Sequence, residues 1–228
     1  MYTLYIANKN YSSWSLRPWA LMRMLGIPFE EKLVPLPDGG AWEKYREFSP
    51  SGRVPALKDG NVTVWDSLAI VEYLAERHPG VWPADAGVRA WARSAAAEMH
   101  SGFVGLRSNC TMNCGIRVTL RERTPAMQAD LARVAELWAE GLTRWGGPFL
   151  TGGRFTAVDA FYTPIAFRIQ TYGLELDPAA AGYSALLLRQ APMQEWYEAA
   201  LRETLRVPKY DADAHALGVW TADLRATA

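Results

Sequence analysis

Residues 10–19 read NYSSWSLRPW, placing Ser12, Ser13 and Ser15 where a short apolar stretch gives way to an amphipathic one. A serine O–H beside a helix N-terminus adds a donor to unpaired backbone N–H groups and a positive dipole end, a combination that holds anions. Serine is too weak a base at neutral pH to abstract a proton, so the chemistry on offer is donation to a negative charge. Pro18 lacks an N–H and is harmless only near a helix start, which sets that start no earlier than about Trp14 or Ser15. Ser15 is then the expected N-cap, leaving the hydroxyls of Ser12 and Ser13 free. The competing reading is turn chemistry alone, since serine is common ahead of helices.

Two further places could meet the same ligand. Val54-Pro55 is a candidate cis peptide, which would turn the Val54 N–H and C=O outward toward a peptide-like molecule. Asp66-Ser67 opens another helical pattern, where the hydroxyl and helix N–H groups suit a carboxylate while Asp66 suits an ammonium. Each is ordinary by itself: most X-Pro bonds are trans, and Asp-Ser is a common helix cap. Together they match a small peptide carrying an amino-acid head, a backbone and a thiol.

The elements that must position these groups follow from periodicity. Thr3 to Ala7 reads as a strand, Leu16 to Leu25 as a helix closed by Gly26, and Phe29 to Leu36 as a second strand, together a parallel βαβ unit. A loop at Pro37-Asp38-Gly39-Gly40 leads to a short helix over Ala41 to Phe48. Strands at Ala56 to Lys58 and Asn61 to Trp65 flank an Asp59-Gly60 hairpin turn, and an amphipathic helix begins at Ser67. Past a Pro/Gly cluster, Ala, Leu, Glu and Arg dominate, and helices are expected over Val88 to Cys110, Pro125 to Trp145, Val158 to Gly173 and Met193 to Leu205. The expected architecture is an α/β domain over residues 1–79, a linker over 80–87 and an all-helical domain over 88–228.

The stretches YSSWSLRPW, SGRVPALKDG, WDSLAIVEYLAERHP and TGGRFTAVDAF closely resemble cytosolic glutathione transferases, especially the serine type with its zeta-like S-S-x-S loop, across essentially the whole chain. The resemblance implies a thioredoxin-like N-terminal domain, a helical C-terminal domain and a homodimer, with glutathione as cosubstrate and no metal. It places the thiol-activating serine on Ser12, with Ser13 as the neighbouring alternative. It places the cis-proline element on Val54 and Pro55 and the γ-glutamyl-binding pair on Asp66 and Ser67. Lowering a thiol of pKa ~8.5 by about two units takes roughly 2.7 kcal/mol. A hydrogen bond to a charged acceptor supplies about 1.5–3 kcal/mol and a helix terminus roughly 0.3–1 more. One serine there suffices.

A small hydrophobic electrophile is the implied second substrate. Trp14, His100, Phe103 and Arg107 are candidates for its pocket, the last three recurring every three or four residues along one expected helix. Core packing for Phe103 and a solvated face for Arg107 are the competing readings. Trp14 and Trp42 are expected to border the cleft, and Arg53 or Lys44 to meet the glycyl carboxylate. Trp14 replaces the cysteine that zeta-type isomerases carry after the serine pair, so isomerisation is not inherited. A noncatalytic glutathione- or hydrophobe-binding protein, and a glutathione-dependent isomerase or peroxidase, are the alternatives.

Other classes are disfavoured. Lys plus Arg and Asp plus Glu both total 24, so no global field draws nucleic acid or an anionic membrane. No leader or spanning segment is evident, and a cytoplasmic protein is expected. His78, His100 and His215 lack metal spacing, and no G-x-S-x-G, P-loop or dinucleotide fingerprint is present. Cys110 and Cys114 read as buried structural thiols. Thr156 and Asp159 in FTAVD read as a capping box, with Phe155 as its staple, without chemistry.

Overall fold

A computed structural model describes residues 1–36 and 42–226, with the side chain of Trp42 excluded. The expected loop at Pro37–Gly40, Ala41 at the start of the short helix, and the placing of Trp42 at the cleft lie outside the described residues.

The first half is built on β1 (Tyr2–Ile6), α1 (Ser13–Met24), β2 (Phe29–Leu33), α2 (Trp42–Arg46), β3 (Ala56–Asp59), β4 (Val62–Val64) and α3 (Ser67–Ala75). The sheet order is β2-β1-β3-β4, with β1 parallel to β2 and the other pairs antiparallel. This is the expected βαβ then αββα. The hairpin is shifted by one residue: Asp59 still pairs with Val62, so Gly60 and Asn61 make the turn and Gly60 takes φ +56°. Leu4 and Ile6 alternate inward from β1 and are fully buried, as the pleat requires.

The second half holds α4 (Ala86–Ser101), α5 (Val104–Asn109), α6 (Pro125–Trp145), α7 (Ala157–Tyr172), α8 (Pro178–Leu188), α9 (Ala191–Arg202) and α10 (Pro208–Leu217). This helical half also carries a two-stranded antiparallel sheet, β5 (Ile116–Leu120) with β6 (Gly218–Asp223). This pair corrects the expectation of an all-helical domain over 88–228, and beyond it and the shifted hairpin three places differ from the sequence reading. The helix expected over Val88 to Cys110 breaks, because Phe103 adopts left-handed φ 55° while Gly102 takes a β conformation. A Cβ on Gly102 would lie 2.8 Å from the Glu98 carbonyl oxygen, so the turn excludes a larger residue. Helices α8 and α10 were not anticipated; Pro178 and Pro208 sit at their first turns, where the missing N–H costs nothing.

One continuous apolar core serves both halves, running from Leu4 and Trp19 through Trp138 to Trp196. Val81 and Trp82, in the expected linker, are buried in it, and the Val81 carbonyl accepts from Ala157 N–H at 2.8 Å. Trp19 of α1 meets Trp196 of α9 edge-on at 5.0 Å. Aromatic pairs of this kind contribute about 0.5–1.5 kcal/mol beyond burial. The two halves thus share one core.

Candidate functional site

The loop between β1 and α1 is held by hydrogen bonds from within itself and from the helical half. The Asn8 carbonyl accepts from Tyr11 N–H at 3.1 Å and Ser12 N–H at 2.9 Å. The Glu203 carboxylate, following α9, accepts from Lys9 N–H at 2.6 Å and Asn10 N–H at 3.3 Å, and Trp196 Nε1 donates to the Lys9 carbonyl at 2.9 Å. The Tyr11 ring stacks on Tyr210 of α10 with centroids 5.3 Å apart. Its hydroxyl donates to Asp211 at 3.1 Å and accepts from Arg225 at 2.9 Å.

Ser15 is not the N-cap. Helix α1 starts at Ser13, with Ser12 in the cap position but making no side-chain cap bond. Ser15 Oγ turns back to accept from Ala7 N–H at 3.3 Å and from the Ser12 hydroxyl at 2.7 Å. It joins the helix to β1 instead of closing the helix end. Pro18 consequently lies within α1, three residues deeper than a Ser15 cap would place it, and the Trp14 carbonyl loses an intrahelical donor. Ser13 Oγ has no hydrogen-bond partner among the described residues, and no acidic residue occupies the first turn. The α1 N-terminus is open.

A cleft of about 620 Å³ brings Ser12, Ser13, Trp14, Arg53, Val54 and Arg107 together. Val54-Pro55 is cis, as expected, and neither the N–H nor the C=O of Val54 is hydrogen-bonded among the described residues. Lys44 is exposed and does not line the cleft.

The remaining candidates are placed differently. Asp66 caps α3, accepting from Leu68 N–H at 2.9 Å, while Ser67 is fully buried with Arg17 Nη1 3.4 Å from its oxygen. Neither lines the cleft. His100 meets Asp66 at 3.3 Å and the Trp14 ring edge-on at 5.2 Å. Burial holds the His100 pKa below its usual value, with Asp66 pulling the other way. The break at Phe103 means that His100, Phe103 and Arg107 do not share one helix; Phe103 is buried away from the cleft lining, and Arg107 alone of the three lines it.

Arginines dominate the electrostatics. Arg17 is buried between the rings of Trp14 at 4.2 Å and Phe161 at 4.9 Å. Burial, then the charges of Arg107 and Arg168, pull its pKa down to about 9. Arg168 of α7 lines the cleft and is held down to about 10, first by burial and then by Arg107. Sequence reasoning missed Arg168, as it did Tyr11, Thr111 and Tyr210. The available signal was a lone cation in the apolar run FYTPIAFRI.

Cys110 and Cys114 are free and fully buried. Burial pushes the Cys110 thiol up to about 12 and the Cys114 thiol also well up, so neither supplies a thiolate. Asp159 is fully buried and accepts from Thr156 N–H at 2.8 Å, Leu150 N–H at 2.9 Å and Tyr183 O–H at 2.7 Å. It is structural, as expected. Among the described residues no His/Cys/Asp/Glu group could hold a metal ion, and no helix is long and apolar enough to cross a membrane.

Comparison with known proteins agrees with this layout. The family description "Glutathione S-transferase, N-terminal domain" matches residues 11–77, and "Glutathione S-transferase, C-terminal domain" matches residues 120–199. A zeta-class glutathione S-transferase of Euphorbia esula is 30% identical over 67% of this chain and 70% of its own. A probable maleylacetoacetate isomerase of Caenorhabditis elegans is 27% identical over 77% of this chain and 82% of its own. Among solved structures, a Burkholderia glutathione transferase homologue with bound glutathione superposes with a TM-score of 0.66 at 23% identity, covering 87% of this chain and 97% of that one.

Proposed function

Because this chain belongs to the glutathione S-transferase family, we propose that it binds glutathione in the cleft at the α1 N-terminus, stabilises its thiolate, and delivers the sulfur to a small electrophile. The observation that carries this reading is the meeting, in one cleft, of the Ser12 and Ser13 hydroxyls with the unpaired Val54 backbone. The cysteinyl backbone of glutathione pairs with Val54 N–H and C=O, and the sulfur then lies before α1. Arg53 serves the glycyl carboxylate. The γ-glutamyl head extends past the cleft lining to the exposed Asp66 carboxylate and the helix start at Ser67.

Ser15 deepens the role of Ser12. The Ser12 hydroxyl donates to Ser15 Oγ at 2.7 Å. When sulfur arrives, the Ser12 O–H turns to it and the Ser15 O–H donates into the Ser12 oxygen. Donors linked in this way polarise one another and strengthen the terminal bond. Each proton stays on its own oxygen, and the thiol proton leaves to solvent. In substitution the sulfur forms a bond to carbon as the leaving group departs with its electron pair; in addition the adjacent carbon takes up a proton.

Ultraviolet difference absorbance of bound glutathione tests this: a thiolate band at neutral pH is expected, displaced to higher pH in Ser12→Ala. Tight binding with no thiolate, unchanged in the Ser12→Ala and Ser13→Ala variants, would favour a noncatalytic binder. A homodimer is the expected assembly, and exposed Val62 and Trp65 on and beside β4 offer it an apolar face; sedimentation checks this directly.

A further inference from the structure

We propose that Arg225, together with Asp211, is a positioning residue for Ser12: by holding the Tyr11 hydroxyl, the pair sets where the neighbouring serine O–H meets the glutathione sulfur. This inference rests on the glutathione reading above. It assigns a role to two residues that stand 214 and 200 positions downstream of Tyr11.

Arg225 is held before it can hold anything else. Its side chain is 3% exposed and lies between two carboxylates, with Nη1 2.8 Å from Asp211 Oδ1 and Nη2 2.7 Å from Asp223 Oδ2. Its backbone neighbours are tied down as well, Leu224 N–H donating to the Gly115 carbonyl at 2.8 Å and Ala226 N–H to the Leu201 carbonyl at 2.7 Å. A Cβ on Gly115 would collide with Arg225 Cγ, so this glycine leaves room for the arginine stem. A guanidinium forked onto two carboxylates has one orientation, and from it Nη1 also donates to Tyr11 Oη at 2.9 Å.

Tyr11 passes that constraint to the serine loop. Its hydroxyl accepts from Arg225 and donates to Asp211 at 3.1 Å, which commits its single proton. Burial, then the charge of Asp211, pushes its pKa up to about 12. Although the ring lines the cleft, Tyr11 has no proton free for sulfur, and its influence must travel through the chain to Ser12. The path is short. The Asn8 carbonyl accepts from both Tyr11 and Ser12 N–H, and the Tyr11 carbonyl accepts from Ser13 N–H at 3.0 Å. Asn10 is held from outside in the same way, its Nδ2 donating to the Ala200 carbonyl at 2.5 Å and its carbonyl accepting from Cys114 N–H at 3.1 Å. Hydrogen bonds weaken steeply away from their best length and angle, so a small displacement of this loop costs part of the Ser12–sulfur bond. Val54 lies on a different loop and keeps its contacts with the peptide backbone.

Tyr11→Phe is the sharpest probe, because it removes the hydroxyl, keeps the ring against Tyr210 and leaves Arg225 paired with both carboxylates. The pKa of bound glutathione, read by thiolate absorbance across pH, should rise by about 0.5–1 pH unit in Tyr11→Phe and in Arg225→Gln, a part of the loss expected of Ser12→Ala. The two substitutions combined should give no more than the larger single shift, and Tyr11→Phe added to Ser12→Ala should give none, since residues acting through one contact are not additive. S-methylglutathione, titrated calorimetrically, should bind Tyr11→Phe within about twofold of the wild type.

Three results would overturn the proposal: no thiolate shift in Tyr11→Phe, a shift of full size in the Ser12→Ala background, or a matching loss of S-methylglutathione affinity, the mark of a merely structural role. Should Arg225→Gln not fold, because two buried carboxylates lose their cation, Tyr11→Phe in the two backgrounds decides it. Failure of S-methylglutathione to bind the wild type would instead defeat the glutathione reading itself.

Discussion

The N-termini of α1 and α7 begin from similar sequence chemistry, hydroxyl residues ahead of an apolar helix, and end in opposite states. At α7 the chain supplies its own anion: the fully buried Asp159 is enclosed by four donors, the Leu150 and Thr156 N–H groups and the Thr156 and Tyr183 hydroxyls. At α1 there is no acidic residue in the first turn, the Ser13 hydroxyl is unpartnered among the described residues, and the cleft before it is lined by Arg53, Arg107 and Arg168 with no Asp or Glu among its described lining residues. Helix α3 lies between these extremes, capped by Asp66 that also reaches His100. A helix end closed by an internal carboxylate serves stability; one kept open beside a cleft serves a ligand.

Breaking the closed end should have the largest effect. Asp159→Ala strands Leu150 N–H, Thr156 N–H and the Tyr183 hydroxyl in a dry interior. With about 1–3 kcal/mol for each buried unsatisfied group and partial relaxation, a loss of roughly 3–5 kcal/mol is expected. Urea denaturation measures it, and thiolate formation in the molecules that remain folded should be unaltered. Breaking the open end should reverse that pattern. Ser12→Ala should raise the bound thiol pKa by an amount worth about 1.5–3 kcal/mol, roughly one to two pH units, with little change in urea midpoint. Ser15→Ala should reproduce a fraction of the shift, since it removes only the supporting donor.

Converting one end into the other is a finer test. Ser13→Asp supplies α1 with the anion it lacks, which should stabilise the protein by about 0.3–1 kcal/mol through the helix dipole. The same charge should occupy the place of the sulfur and abolish glutathione binding in a titration. Gain of stability with binding intact would mean that the open terminus does not face the ligand.

How much of this was readable from sequence depends on the range of the interactions. The β1-α1-β2 unit, the hairpin and the long helices α6 and α7 rest on local periodicity, turn residues and caps, and they were legible. The FTAVD capping box was legible because its partners are three residues apart. The break at Phe103 was not, since a left-handed phenylalanine has no propensity signal and is sustained by tertiary packing. The same distance problem hid the role of Ser15, whose donor Ala7 directly follows the preceding strand β1. It also hid the clamp on Tyr11 by Asp211 and Arg225, some two hundred residues downstream. Arg168 becomes a cleft residue only through a tertiary contact, its Nε donating to the carbonyl of Cys110, 58 residues earlier at the end of α5.

The intermediate case, α3, yields the smallest prediction, a pH dependence. Burial disfavours the imidazolium of His100, so the folded protein keeps this ring neutral to lower pH than the unfolded chain, where histidine titrates near ~6.5. Between the depressed folded value and about 6.5 the unfolded chain binds more protons, so stability falls as pH drops through that window and recovers as it rises. Asp66, 3.3 Å away, opposes the depression. His100→Gln should therefore flatten stability against pH below neutrality. Asp66→Asn keeps a helix cap but removes the opposing charge, and should steepen the loss. Urea midpoints across this pH range separate the outcomes; a steeper slope in His100→Gln would show that the carboxylate, not burial, governs this ring.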